Sequence, residues 1–450
     1  MISVEGRVRT WMMTYPVLVS AWIVLSLLIA PQLSPHLEPG FLAIGLGLAF
    51  ALSLGWWDET HLPAGSSEDG AWRRFLNLTI VAASWVFLAT AVGTGPQHDY
   101  LLHQEFWQVV LDGQDPWYLA NTYWGYHPPN AYGPLFNPLA LLMYVNRLAP
   151  KLLFAMAYIV SATALIKRLA GNRSISWPAF LGLMFWAWNP FAWVEVAIRG
   201  HFDILVGLAS VAAVHFARER RDRPCAIALA AGVLLKYIPI VLLPFLALDR
   251  GKIKAKFTAM STGLIALGLG LSCLIWGKST FYPLRFAATR SSSYLSIFRF
   301  LRGRYSPIWR LGIEPDVEWL ATPLMALALL GAWWWCRSRQ VDPATGGFLS
   351  ILVTLLLYRN GFPQYQMVLI MVASYWVAEL WNTRRHQTAL AIALVGYFGW
   401  INAFALAYYQ LGDSSTRFED AVGLPTFLLG GILLVCLLRS ELSSENTKIY

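Results

Sequence analysis

The sequence predicts an all-α, polytopic integral membrane protein of about 12 transmembrane helices with one re-entrant or broken hairpin among them. Three observations predict it. Of 450 residues, 57% are hydrophobic and only 13% are charged, about half the charged share of a soluble domain; so few charges cannot cover a water-facing surface. Apolar runs of span length recur along the whole chain. Tryptophan is abundant, at 22 residues, as expected where half-wet rings sit at the headgroup level. The net charge of +9 fits basic cytoplasmic loops and does not point to nucleic acid. Cys225, Cys273, Cys336 and Cys436 lie in or beside apolar runs with no CxxC pair, so neither a disulfide framework nor a metal site is expected.

A span needs roughly 20 apolar residues, or about 17 at the low end. Runs near 11–30, 40–56, 75–94, 152–166, 177–197, 203–217, 257–276, 320–336, 346–358, 364–381, 388–410 and 423–438 meet or approach this length. The first follows Arg7 and Arg9 and reads as a retained span, because it is long for a signal-peptide core. With those arginines inside, Arg73 and Arg74 also fall inside, and the third span delivers Asp99 to the outer face. No Lys or Arg occurs from Phe75 to Asn146, as suits an external loop.

Two further apolar stretches fix the count. The run "LFNPLALLMYVN" rises only about 18 Å as a helix, too short for a core of about 30 Å, so it is expected to lie on or dip into the surface. Then "ARERRDR" at 217–223, "RSR" at 337–339, "NTRRH" and the C-terminal tail all become cytoplasmic. Residues 225–248 begin and end inside. Lys236 is costly in an apolar run and Pro239 removes a helix donor; two half-helices meeting near Lys236 meet both demands, and a single span with a snorkelling lysine is the alternative. No soluble domain, low-complexity segment or clear repeat interrupts the chain, so residues 1–450 are expected to form one membrane-embedded domain.

Three stretches then face outward. Residues 95–134 carry Asp99, Glu105, Asp112 and Asp115, many aromatics and no basic residue. Residues 198–203 read "IRGHFD". Residues 277–319 carry Lys278, Arg285, Arg290, Arg299, Arg302, Arg304 and Arg310, against the charge rule for outer loops. Arginine's planar fork suits phosphate. An acidic, aromatic loop facing a basic one fits a carbohydrate hydroxyl acceptor and a phosphate-bearing donor; pairing of these arginines with lipid headgroups is the plainer reading.

The order of motifs resembles the GT-C class of membrane glycosyltransferases, closest to polyprenol-phosphate-mannose-dependent alpha-mannosyltransferases, including the catalytic subunit of GPI mannosyltransferase I. The residues that carry it are "HDY" (Asp99, Tyr100), Glu105, "GQDPWY", "YHPPNAYGPLFNPL", "WNPFAWVEVAIRGHFD", "AGVLLKYIPIVLLP", "RSSSYLSIFRFL" and "FPQYQMVLI". Residues 1–74 look like spans added to the family's core. Eukaryotic relatives often show Asp-x-Asp at the first loop; here Gln97-His98-Asp99 leaves one carboxylate. No resident cofactor or metal is expected, a divalent cation is left open, and the spacing of His98, His103, His127 and His201 matches no common zinc pattern.

The resemblance implies transfer of a hexose, most simply mannose, from a polyprenyl-phosphate donor to a lipid or glycan hydroxyl, by single-displacement inversion on the extracytoplasmic face. Asp99 is the expected general base. Lys236, Arg290 and Arg199 are the expected contacts of the donor phosphate. Trp117, Tyr118 and Tyr126 offer flat faces for sugar rings, His201 and Asp203 are placed to orient the sugar or Asp99's neighbours, and Tyr100, Glu105, Gln364 and Tyr365 stand in the matching motifs. Expected partners are the donor, the acceptor and membrane lipids, with a small membrane subunit left open. A multi-pass protein with both termini cytoplasmic is expected, in the plasma membrane if the source is bacterial. A flippase or transporter for lipid-linked glycans, or a transferase of another sugar, are the competing readings.

Overall fold

A computed structural model describes residues 84–97, 99–117, 130–171, 189–311, 317–381, 387–411 and 416–445. The expected spans at 11–30 and 40–56, and most of that at 177–197, lie outside the described residues. The chain divides into two compact units, residues 1–95 and 96–450. The described part of the first, residues 84–95, is helix α1, Ser84–Gly93, and two residues after it. Thr90 closes onto it by donating its hydroxyl to the Val86 carbonyl.

The second unit is built of helices. Strands occur among the described residues only as two-residue pairs: Leu248–Asp249 antiparallel to Lys252–Ile253, and Ser293–Tyr294 parallel to Asn360–Gly361. In chain order the principal helices are α2 (Asp99–Leu111), α3 (Ala149–Gly171), α4 (Asp203–Arg218), α5 (Asp222–Leu235), α6 (Ala255–Trp276), α7 (Tyr282–Thr289), α8 (Ile297–Arg302), α9 (Ala321–Arg339), α10 (Pro343–Leu357), α11 (Gln366–Leu380), α12 (Gln387–Leu411) and α13 (Thr416–Glu445).

Their apolar surfaces sort them. In α10 every residue from Ala344 to Leu356 is buried, and α11 is buried nearly all round; a helix apolar on every side belongs in a core. On α6 and α9, Leu271, Leu274, Ile275, Leu327 and Leu330 are exposed instead. Four segments are long and apolar enough to cross a bilayer: Ala255–Thr289, Glu318–Arg339, Thr388–Ala405 and Asp420–Leu442. The protein is therefore an all-α integral membrane protein.

Three stretches took forms that hydropathy alone did not specify. Residues 99–111, expected within an outer loop, form α2. The run expected as a short surface helix is a 3-10 helix, Pro134–Tyr144, bent 114° from α3. Pro134 and Pro138 carry no N–H, so the regular α ladder cannot run through them. In the 225–248 stretch α5 ends at Leu235 and Lys236 turns extended, at φ −158° and ψ 126°. The chain continues as a 3-10 turn, Ile238–Leu242, and a four-residue helix, Leu243–Leu246, with Pro239 and Pro244 at their starts, rather than as a second regular half-helix.

Candidate active site

The site forms where three irregular backbone stretches meet. The first is the start of α2. Asp99 is its first residue, where the helix dipole favours a negative charge. Its side chain is 47% exposed.

The second is the stretch before α4. Asn189 accepts from the Phe191 N–H with its side chain, and Asn402 of α12 accepts from the same group. The chain then widens into a π-turn, Trp193–Ile198, a form that often marks functional sites. Gly200 follows at φ +69°. A Cβ there would come within 2.6 Å of the Tyr100 ring, so glycine serves both the turn and the close approach of α2. The turn folds the chain back on itself: the His201 N–H donates to the Glu195 carbonyl at 2.8 Å.

The third is the break at Lys236. Gly133 docks on it: its N–H donates to the Leu235 carbonyl at 3.0 Å, and a Cβ would lie 2.2 Å from the Leu234 oxygen. The segment ahead of the 3-10 helix is thereby held against the end of α5.

Side chains converge at this junction. His201 Nε2 lies 2.8 Å from Asp99 Oδ2, and Nδ1 lies 2.6 Å from Glu195 Oε2. Glu195 and His201 are 1% and 2% exposed. Burial alone would lower the imidazole, but the two carboxylates outweigh it and push its pKa up to about 9. Partial burial would raise Asp99, yet the hydrogen bond and charge of His201 hold it well below the usual carboxylate range. His103, four residues along α2 from Asp99, meets the Tyr132 hydroxyl at 3.0 Å. Burial, and then the charge of His201, push His103 down to about 3, so it is neutral.

Lys236 Nζ donates to Asp203 Oδ1 at 2.6 Å, and the rings of Tyr365, Phe202 and Tyr132 lie 4.2, 5.4 and 5.7 Å from it. Tyr365 touches Phe362 at 5.9 Å between centroids, and the Arg290 guanidinium sits 4.1 Å over Phe362. A two-ring ladder therefore joins Lys236 to Arg290. The Tyr132 phenol is raised well above its ordinary value by burial first, then by Asp99 and Asp203, with Arg290 acting the other way. The acid side and the cation side thus act on one phenol.

The expected site residues separate on this frame. Asp99, His201, Asp203, Lys236, Tyr365 and Arg290 come together. Arg199 is beside them, 3.4 Å from Glu195 and over the Tyr408 ring. Tyr100 is fully buried, donates its hydroxyl to the Arg147 carbonyl at 2.7 Å and supports Gly200. Trp117 is 2% exposed and its indole N–H donates to the Tyr132 carbonyl at 3.1 Å, so it braces Tyr132 and has no open face. Glu105 lies six residues on from Asp99, roughly 120° away around α2. Gln364 is half-buried next to Tyr365. Tyr118 and Tyr126 lie outside the described residues.

Among the expected donor-phosphate contacts, Lys236 is paired with Asp203 and Arg199 lies near Glu195; Arg290 has no carboxylate partner among the described residues. Of the other arginines in the 277–319 stretch, Arg299, Arg302 and Arg304 are held in ion pairs. Glu318 pairs with Arg302 at 2.9 Å and Arg359 at 2.8 Å, and Asp420 with Arg299 at 2.9 Å and Arg304 at 3.4 Å. Sequence reasoning missed Glu195, Tyr132 and His103. For Glu195 a signal existed: a lone carboxylate in the apolar run "WVEVAI". Among the described residues no three His, Cys, Asp or Glu side chains are grouped to hold a metal ion.

Residues 124–359 match the family described as glycosyltransferase family 87. No curated protein and no solved structure matches the chain. The matched stretch takes in the π-turn, the Lys236 break and Arg290, while Asp99 precedes it. Because the match spans more than half of the sequence and the junction of the three irregular stretches falls largely within it, this chain belongs to glycosyltransferase family 87.

Proposed function

We propose that this glycosyltransferase moves a hexose, mannose in the simplest case, from a polyprenyl-phosphate-linked donor to a hydroxyl of a lipid or glycan acceptor, with inversion and with Asp99 as general base. The reading places the reaction at the extracytoplasmic face of a GT-C-type protein of about 12 crossings. The 225–248 stretch would enter and leave on one side, both termini would be cytoplasmic, and residues 1–450 would form one domain with 1–74 as added spans. One observation carries it: a half-exposed carboxylate, gripped by one oxygen, shares a cluster with an arginine that has no carboxylate partner among the described residues.

The chemistry needs these two parts. The bond between the anomeric carbon and the phosphate oxygen breaks with its electrons on that oxygen. The donor phosphodiester, with one negative charge, becomes a lipid phosphate monoester with two. A cation is therefore worth more there than a general acid. Arg290 can bind the phosphate through its fork, while Lys236 and Arg199 add to the local positive field from their ion pairs. The acceptor oxygen attacks from the opposite face, which inverts the centre. Its proton becomes strongly acidic as the new bond forms. A carboxylate held below its usual range still takes it, and then releases it to water through its exposed side. The rings of Tyr132, Tyr365 and Phe202 surround the Lys236 ammonium.

The test is transfer by the full chain, purified into lipid nanodiscs, with labelled polyprenyl-phosphate mannose, polyprenyl-phosphate glucose and nucleotide-activated mannose offered separately. Membrane lipids from cells lacking the protein serve as acceptors. The reading predicts label in a lipid or glycan product from polyprenyl-phosphate mannose. Product from the nucleotide sugar alone would overturn the donor assignment, and product from the glucose donor alone would overturn the choice of hexose.

A further inference from the structure

His201 stands between two carboxylates, and a carboxylate accepts hydrogen bonds but cannot donate one unless protonated. A neutral imidazole has a single N–H. Contacts of 2.6 Å to Glu195 and 2.8 Å to Asp99 therefore require an imidazolium, or a proton on one of the acids. Glu195 is 1% exposed and sits in the same tight turn as His201, whose main chain it also binds. No described residue hydrogen-bonds to Asp99 Oδ1.

We propose that Glu195 is a positioning residue for transfer: by holding His201 in its doubly protonated form, it pins Asp99 through Oδ2 and leaves Oδ1 turned to the acceptor hydroxyl. This inference rests on Asp99 being the base. Without the Glu195 charge, the ring can carry its one proton on either nitrogen. When Nε2 is bare it repels Asp99 instead of gripping it.

The groups facing His201 settle the direction of the pH effect. From its own segment come Glu195 and Arg199, from α2 Asp99 and His103, and from α4 and the α5 break Asp203 and Lys236. The three acids favour the imidazolium; Arg199 and Lys236 oppose it, and His103 is neutral. With His201 raised to about 9, the wild-type ring stays charged across the neutral range and loses its proton only as pH rises through that value. Removal of the Glu195 charge leaves burial and two cations against one exposed and one lysine-paired acid. The ring should then titrate near or below the ordinary histidine value of about 6.5.

The experiment compares wild type, Glu195→Gln, Glu195→Asp and Asp99→Asn in nanodiscs, by kcat and KM from pH 5.5 to 9.5 and by NMR titration of labelled histidine. For Glu195→Gln, kcat at pH 8 should fall about 10–100-fold, the range typical of lost outer-shell partners, with little change in either KM. It should recover toward wild type near pH 5.5, where His201 regains its proton. Glu195→Asp should lie between the two. A loss that is equal at every pH, or no loss, overturns the proposal, as does a wild-type His201 that titrates near the ordinary value. Full turnover by Asp99→Asn would instead overturn the base assignment, while the NMR titration would still report whether Glu195 holds the imidazolium.

Discussion

Asp99 is one of four acids in the 95–134 stretch, and its carboxylate meets His201 at 2.8 Å. Asp112 accepts from the Gln108 side chain and Asp115 from the Trp117 N–H, both local contacts. Lys236 stood out by its cost in an apolar run, whereas Asp99, His201, Asp203 and Arg290 were expected at the site mainly because their motifs resemble those of the GT-C family. Their pairing was not legible in the same way. His201 and Asp203 read as one "GHFD" unit, yet the structure turns them apart, His201 toward Asp99 and Glu195, Asp203 toward Lys236. Pairing depends on rotamers and on the Gly200 turn, which hydropathy does not encode. Arg290 gives the residue-scale prediction. Its loss in Arg290→Ala should raise the donor KM about 10-fold or more, as for a charge-assisted hydrogen bond of about 1.5–3 kcal/mol, with the acceptor KM nearly unchanged. Steady-state kinetics with each substrate varied in turn checks it.

At the scale of elements, helix positions were legible and their interruptions only partly so. Runs read at 203–217, 257–276 and 388–410 became helices at Asp203–Arg218, Ala255–Trp276 and Gln387–Leu411, since sustained apolar sequence without Pro or Gly pairs leaves few alternatives. The stop at Lys236 was legible from a charge followed by a proline. The π-turn was not, because its cause is tertiary: it brings Glu195 under His201 against α2. Gly200 links the two elements and supplies the prediction. In Gly200→Ala the positive φ costs about 1–2 kcal/mol, and the methyl meets the Tyr100 ring at 2.6 Å. Thermal stability should drop and turnover should fall together with it. A Gly200→Ala protein with wild-type melting temperature and turnover would show that the turn does not depend on glycine.

For the whole molecule, the charge rule proposes an orientation that meets an exception at 277–319, where basic residues crowd an expected outer loop. The structure supplies a reason: Arg299 and Arg304 are bound by Asp420, and Arg302 by Glu318, so much of that charge is neutralised in place. Partners on other elements, Asp420 on α13 above all, could not be read from local composition. The proposed orientation puts Asp112 outside and Arg221 inside. An impermeant maleimide should label Asp112→Cys in intact cells and Arg221→Cys only after the membrane is opened; the reverse pattern would invert the topology.

The central claim is that a carboxylate at the start of α2 takes the acceptor's proton. Turnover of Asp99→Asn, measured beside wild type in nanodiscs together with binding of the labelled donor, tests it most directly. The account predicts a fall in kcat of about 10²–10⁴ with donor binding within about threefold, since the proposed phosphate contact is Arg290 and not Asp99. Near wild-type turnover by the amide would contradict it.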